Sequence, residues 1–376
     1  MCNKRIIMPI LLLATLLPAA ATAQSQAVTV LHYMPAPGQF VNVLPAADDE
    51  TTQDDINRAC EEQLAEGNLV HLGTYGGSIT LKFDHKIENK PGSDIYIRGN
   101  GFFAANDPSD SVVPGGSIEP GIVYVGVGDD WRTATWYELA GSEYYDREIH
   151  DFSITYHRPT AESGPSRQPH SIFDDYIRWE CSWTGNDGTQ CDSTGYHMKN
   201  AYHRQTYWPQ WNHDATMTFC GGKLPNNAID RSGNGTYWVQ YLYSADAYGY
   251  ADACESGDSI HSSFDIDWAV DEHGNHVALD HADFVRVVCG IFQYCGWLGE
   301  TSTEIASVKD LHLVPGYDAH PYIITPRHRP DDSSVVHVAS STDNSDDAYY
   351  TVTGQRAITL QRGKIYIHKG RKILYR

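Results

Sequence analysis

The chain has little basic charge and no long hydrophobic run beyond its first two dozen residues. Its 376 residues include 27 Lys and Arg against 48 Asp and Glu, which gives a formal net charge of −21 at pH 7. So acidic a surface repels the phosphate backbone of nucleic acids. We therefore expect neither a nucleic-acid-binding protein nor a transmembrane segment in the body of the chain.

Common catalytic and metal-binding motifs are also missing. The sequence contains no Gly-x-Ser-x-Gly, His-Glu-x-x-His, P-loop or dinucleotide fingerprint. Seven cysteines follow Cys2, without the spacing of a zinc site. Cys181 and Cys191 could close a hairpin by a disulfide, and Cys289 and Cys295 could close a tight loop.

The two ends of the chain differ in composition from its body. Lys4 and Arg5 precede an apolar run over residues 6–17 and a small-residue stretch that ends at Ala23. This pattern predicts a secretory signal peptide over residues 1–23, and hence a secreted protein. Near the other end, an acidic stretch precedes a basic one, which predicts a linker over residues 316–350 and a separate basic tail over 351–376.

One helix is predicted, and most other segments alternate as strands. Thr52 and Asp55 form a capping-box pattern, and helical spacing of apolar residues continues until Gly67. Residues 78–83, 95–98 and 152–156 alternate between apolar and polar, and residues 121–127 are almost all apolar. Short strands separated by Gly- and Pro-rich turns predict an all-β fold, an antiparallel β-sandwich or jelly roll.

An alternating stretch near residue 265 is the candidate metal site. Phe264, Ile266 and Trp268 alternate with Asp265 and Asp267, which predicts a strand with both carboxylates on one face. Carboxylate oxygens suit calcium, and no other cofactor is expected. The alternative is that these two acids lie on a solvated strand face.

The segment 158–260 is rich in aromatic residues, with five of the nine Trp of the chain. We predict that it is an inserted subdomain whose rings are turned outward to stack on a sugar or corrin ring. The alternative is that the rings form the segment's own core. The candidate ligand-binding residues are Tyr207, Trp208, Trp211, His213, Trp238, Tyr248 and Tyr250.

Several stretches resemble a known family. Residues 76–84, 92–100, 119–123, 136–143, 264–271 and 299–304 resemble the jelly-roll domain of Bacteroidota proteins described as "cell surface protein", which are associated with outer-membrane uptake of vitamin B12. The resemblance implies a discontinuous jelly-roll domain over residues 28–157 and 261–315, interrupted by the insertion. The basic tail is similar to short sorting tails of type IX secretion, which implies display on the outer surface of the outer membrane.

The main hypothesis is therefore a non-catalytic surface protein that captures a bulky nutrient, with cobalamin the first choice, for an outer-membrane transporter. His213 is a candidate ligand for the cobalt. A glycan-binding protein that uses the same aromatic surface is the second hypothesis. A secreted glycoside hydrolase with Glu300 and Glu304 as its carboxyl pair is the third, although these acids could instead pair with strand ends. A structural surface protein without a small ligand is the fourth.

Overall fold

The computed structural model describes most of the body of the chain and parts of its tail. The described residues are 25–105, 107, 113–160, 173–185, 187–200, 202–244, 246–317, 349–351, 365–368 and 371–374. The chain divides into two compact units, Met1–Arg329 and Pro330–Arg376. The predicted signal peptide lies outside the described residues.

The described residues form one α-helix, three short 3-10 helices and 25 strands. The helices are α1 (Gln53–Glu66), η1 (Ile266–Trp268), η2 (Gly296–Leu298) and η3 (Leu311–Leu313). The first strands are β1 (Val28–Met34), β2 (Val70–His71), β3 (Ser78–Phe83), β4 (Ile87–Glu88), β5 (Ile95–Arg98), β6 (Phe102–Phe103), β7 (Gly115–Ser117), β8 (Gly121–Val127), β9 (Thr135–Leu139), β10 (Ile149–His157), β11 (Phe173–Thr184), β12 (Gln190–Asn200) and β13 (Thr216–Lys223). The later strands are β14 (Ala228–Asp230), β15 (Trp238–Tyr241), β16 (Tyr250–Ala251), β17 (Ser263–Phe264), β18 (Ala269–Val270), β19 (His281–Ala282), β20 (Phe284–Cys289), β21 (Glu304–Ile305), β22 (Ser307–Asp310), β23 (Tyr349–Thr351), β24 (Ile365–His368) and β25 (Arg371–Leu374).

The central sheet has seven antiparallel strands in the order β1-β3-β20-β8-β9-β18, and β16 also pairs with β8. The predicted strand at residues 121–127 is β8, whose positions are mostly buried because neighbouring elements cover both of its faces. The prediction of an all-β fold made of antiparallel sheets is confirmed, and this arrangement is consistent with a sandwich. The finer jelly-roll topology stays a prediction.

The single long helix, α1, packs against β1 at the edge of the central sheet. The side chain of Thr52 accepts the backbone N–H of Asp55 and the side chain of Asp55 accepts the backbone N–H of Thr52, as the capping box predicts. Ile56 and Cys60 face the core, and the helix ends at Gly67, whose φ of 75° suits glycine. Among the described residues, no helix combines the length and apolar character needed to cross a membrane.

A second sheet, β12-β11-β10-β13, encloses its own aromatic core, which includes Phe152, Tyr156, Tyr207 and Trp208. Strands from the segment 158–260 also join strands outside it, since β15 pairs with β7 and β16 with β8. The segment therefore shares sheets with the rest of the first unit. The remaining small sheets are β14-β15-β7-β6, β17-β5-β22, β19-β4, β2-β21 and, in the second unit, β23-β24-β25.

All seven cysteines in the described residues are free thiols, so neither predicted disulfide is present. In the β11–β12 hairpin, Cys181 lies opposite Ser193 and Cys191 lies opposite Trp183. The two cysteines are therefore diagonal neighbours, with Cα atoms roughly 7–8 Å apart. That separation is longer than a disulfide accommodates.

The predicted strand over residues 264–268 is wrong. The strand β17 ends at Phe264, and η1 begins at Ile266. The carboxylate of Asp265 accepts the backbone N–H of Asp267 at 2.9 Å and so caps this helical turn. Because Asp competes for local backbone groups in this way, the alternating pattern was overridden at this site.

Candidate ligand-binding pocket

A pocket of about 340 Å³ lies where β2, β7 and β15 meet the loops after β1, β5 and β12 and the segment leading into β21. We name it the carboxylate pocket because Glu119, Glu300 and Glu304 line its interior. Aromatic and other side chains complete its wall: Gln39, Phe40, His71, Asn100, Phe102, Ser117, His203, Tyr237, Trp238, Gln240, Leu298 and Ser302.

Asp252 holds together the segments that build this pocket. Its Oδ1 accepts the backbone N–H groups of Asn100 at 2.8 Å and Gly101 at 2.9 Å. Its Oδ2 accepts the backbone N–H of Glu304 at 3.0 Å, and its own carbonyl accepts that of Glu119 at 2.9 Å. One residue therefore fixes three separate loops.

The backbone around Asp252 is adapted to this role. Asp252 has a φ of 55°, in the left-handed region that non-glycine residues rarely adopt. Gly99 allows the close approach of the carboxylate, since a Cβ at this position would lie 2.1 Å from the Oδ1 of Asp252. Such backbone strain persists where surrounding contacts impose it, and here four main-chain hydrogen bonds do so.

His71 joins the two acids of the segment 300–304. In the pairing of β2 with β21, His71 lies opposite Glu304, and its Nδ1 is 2.5 Å from the Oε1 of Glu304. The Nε2 of His71 is 3.4 Å from the Oε1 of Glu300. Both oxygens of Glu300 accept the backbone N–H of Gln39 at 2.9 Å, and His197 lies 3.6 Å from its Oε2.

These contacts shift the pKa values of His71 and Glu300 in opposite directions. Burial alone would lower the pKa of His71, but its hydrogen bonds with Glu300 and Glu304 raise that pKa to about 9. Burial alone would raise the pKa of Glu300, but the neighbouring imidazoles of His197 and His71 lower it to about 2. The pocket thus contains a buried imidazolium beside a buried carboxylate.

The pKa values of Glu119 and Asp252 shift in the opposite direction to that of Glu300. Burial raises the pKa of Glu119 well above its usual range, and the nearby charges of Glu304 and Asp252 raise it further. Burial and the charge of Glu304 likewise raise the pKa of Asp252 well above its usual range. Glu119 is partly exposed as a whole residue, while its carboxyl group belongs to a buried cluster with Asp252 and Glu304.

Several polar atoms of the pocket have no hydrogen-bond partner among the described residues. They are Gln39 Oε1, Asn100 Oδ1, Tyr237 OH, Gln240 Oε1, Ser302 Oγ and Glu304 Oε2. The Nε2 of Gln240 donates to the Oε1 of Glu119 at 2.9 Å, which leaves the Oε1 of Gln240 as the unpartnered atom of this amide. Because proteins pair nearly all their buried polar groups, so many open acceptors indicate a ligand that brings donors or positive charge.

Four of the predicted ligand-binding rings are buried, which corrects the prediction that they face outward. Tyr207 and Trp208 belong to the second core, where the Nε1 of Trp208 donates to the carbonyl of Asn212 at 3.0 Å. Tyr248 and Tyr250 belong to the central core. Their side chains pack against other apolar side chains, so no ring face is left open for stacking.

The other three predicted residues lie at two different places. Trp211 stacks on Tyr33 with ring centroids 5.9 Å apart, and it lines a shallow groove with the exposed His213 beside the start of α1. Trp238 is the one predicted aromatic residue in the carboxylate pocket, at the first position of β15. The seven residues therefore do not form one surface.

The predicted metal ligands are replaced by another cluster. Asp267 is exposed and accepts the side-chain amide of Asn89 at 2.7 Å, while Asp265 caps η1. Within the described part of the chain, the group of acids close enough to share an ion is Glu119, Asp252 and Glu304. The sequence offered a signal for one side of this group, the two glutamates of the polar run 299–304, whose residues 300–304 the structure buries.

Comparison with protein-family models found no match for this chain, and comparison with curated proteins found none either. The resemblance to the Bacteroidota family therefore stays a prediction. The functional proposal therefore depends on the residues that line the pocket.

Proposed function

We propose that this protein binds a sugar unit of an extracellular glycan in the carboxylate pocket. The observation that carries the proposal is that three unpartnered oxygens, Gln39 Oε1, Asn100 Oδ1 and Tyr237 OH, line the pocket together with the indole ring of Trp238. Sugar hydroxyls supply the donors that these acceptors lack, and the apolar face of a sugar ring packs on an aromatic side chain.

The size and charge of the pocket narrow the ligand further. Its volume of about 340 Å³ lies at the lower end of the usual range for small-molecule sites. Three glutamates line it, so neutral or amino sugars are favoured over acidic ones. The predicted signal peptide supports a substrate met outside the cytoplasm, and the similarity of the tail to a sorting signal supports display on the outer membrane.

The test compares two tryptophans that are both partly buried. A glycan array and calorimetric titration with the mature protein should identify a sugar whose affinity falls about tenfold or more in Trp238→Ala, the size expected of an aromatic anchor. Trp211→Ala is the matched control and should bind like the wild type, since Trp211 lies in another groove. Absence of any sugar binding, or an equal loss in both variants, contradicts the proposal.

The same titration separates the other hypotheses. Cobalamin remains a candidate through the family resemblance, but a small polar pocket supports one sugar unit better than a bulky macrocycle. Saturable cobalamin binding that is lost in Trp238→Ala would replace the sugar proposal and make a transporter the expected partner. Cleavage of the bound glycan would instead identify a glycoside hydrolase, with Glu119 and Glu304 as the first carboxyl groups to substitute.

A further inference from the structure

We infer that Glu119, Asp252 and Glu304 bind one divalent cation at the inner end of the carboxylate pocket, and that calcium fits the site best. This inference concerns the ion alone and does not depend on which organic ligand the pocket takes.

The geometry allows all three acids to reach a single ion. One carboxylate oxygen from each residue lies within 4.8 Å of the corresponding oxygens of the other two. Calcium takes its oxygen ligands at about 2.3–2.6 Å, so two oxygens on opposite sides of the ion are separated by roughly 5 Å at most. The three oxygens therefore need little movement to become ligands.

Unpartnered oxygens beside the cluster are the second, independent observation. Ser302 is 2 % exposed and Gln240 is 3 % exposed, yet the Oγ of Ser302 and the Oε1 of Gln240 have no hydrogen-bond partner in the part of the chain that the structure describes. The Oε2 of Glu304 is also unpartnered, and this residue is 6 % exposed. Leaving buried acceptors unpaired is costly, and a cation pairs with them directly.

The hydrogen bonds around the cluster leave much of its charge unbalanced. Asp252 accepts backbone N–H groups, and Glu119 accepts from the side chains of Gln240 and Ser117, all of which are neutral donors. His71 contacts Glu304, but it also faces Glu300 and so serves two acids. All three carboxyl groups can be ionised together only if a further positive charge joins them, and a divalent cation supplies that charge.

The kinds of ligand atom favour calcium over softer metals. Every candidate ligand atom is an oxygen, from carboxylates, an amide and a hydroxyl, and these atoms come from separate loops. Both ring nitrogens of His71 already face carboxylates, so this imidazole is not free for a zinc ion. Calcium accepts irregular sets of oxygen ligands, whereas magnesium needs a near-octahedral set and retains water.

The experiment is a calcium titration of chelator-treated mature protein, in the absence of any sugar. Calorimetry should give one site with a Kd of about 1 mM or tighter, and terbium should give luminescence that calcium displaces. Glu304→Gln and Asp252→Asn should each weaken binding by roughly tenfold or more. Glu148→Gln, which alters another buried acid, is the matched control and should leave the affinity unchanged.

A milder variant covers the case in which the carboxylate variants do not fold. Ser302→Ala removes one candidate ligand and no charge, and it should lower calcium affinity while its unfolding temperature without calcium stays near that of the wild type. Calcium should also raise the unfolding temperature of the wild type more than magnesium does. Absence of stoichiometric calcium binding at millimolar concentration, or unchanged affinity in the folded variants, overturns the inference. Because the titration contains no sugar, its failure is distinct from a failure of glycan binding.

Discussion

Two buried acids in this molecule, Glu300 and Glu148, have pKa values that are shifted in opposite directions. In the carboxylate pocket, Glu300 accepts the backbone N–H of Gln39 and faces two histidines, and its pKa falls to about 2. Elsewhere, Glu148 lies beside Glu138, and burial raises its pKa to about 8. Burial and the charge of Glu148 raise the pKa of Glu138 well above its usual range.

The difference lies in the donors that surround each acid. The nearest ion-pair contact of Glu148 is His150, whose Nδ1 is 3.5 Å from the Oε1 of Glu148. The charge of Glu143 raises the pKa of Glu148. The charge of Glu148 in turn raises the pKa of neighbouring acids and phenols: Glu138, Tyr75, Tyr124, Tyr144, Tyr243 and Tyr250. Burial alone therefore does not decide the charge of an acid here: desolvation dominates at Glu148, whereas the donors around Glu300 outweigh it.

The largest expected effect comes from removing the charge of Glu300. Glu300→Gln should lower the free energy of unfolding by about 3 kcal/mol, since it leaves a buried imidazolium without its main counter-charge. Urea denaturation at pH 7 measures the change. A loss below about 1 kcal/mol would mean that the pair of Glu300 with His71 contributes little to the stability of the fold. The contrast between Glu300 and Glu148 would then disappear.

The pH dependence of the free energy of unfolding should reveal the raised pKa of Glu148. The folded-state pKa of Glu148 is raised from 4.5 to about 8, so the unfolded chain releases this proton first as the pH rises. Stability should therefore fall between pH 4.5 and pH 8. Glu148→Gln cannot ionise, and at pH 8 it should be more stable than the wild type by about 2 kcal/mol. Denaturation curves at pH 5 and pH 8 provide the measurement, and parallel pH profiles of the two proteins would contradict the assignment.

The smallest expected effect on stability comes from the N-terminal cap of α1, where the acid is exposed to solvent. Asp55 and Thr52 cap α1 in solvent, where a hydrogen bond from Thr52 lowers the pKa of Asp55. Thr52→Ala should lower the free energy of unfolding by about 1 kcal/mol, and Thr52→Ser should restore most of it because the hydroxyl is retained. Thermal unfolding of the two variants decides the point, and equal stability would show that the cap is unimportant.

Local patterns in the sequence predicted the regular elements well. The capping box and Gly67 located α1, and the apolar run at residues 121–127 located β8. These features depend on neighbouring residues, so a single sequence is sufficient. The strand predicted at residues 264–268 failed because Asp265 formed a local cap, a side-chain interaction that the alternation of apolar residues does not encode.

The candidate site was harder to predict because distant segments build it. Glu300 and Glu304 were recognised as a carboxyl pair, but Glu119 and His71 join them only through strand pairing and loop contacts.

The aromatic cluster was misleading for a related reason. Tyr and Trp suit both cores and surfaces, and composition does not distinguish a ring such as Trp208, which packs inward, from Trp238, which borders the pocket.

The contacts of Asp252 imply an order of events during folding. They connect loops at residues 100, 119 and 304, which lie far apart along the chain. Contacts of such sequence separation form late, after long loops have closed. A nascent or still-extended chain that ends before residue 304 therefore lacks the carboxylate pocket, which is complete only once the segments around residues 100, 119, 252 and 304 have come together.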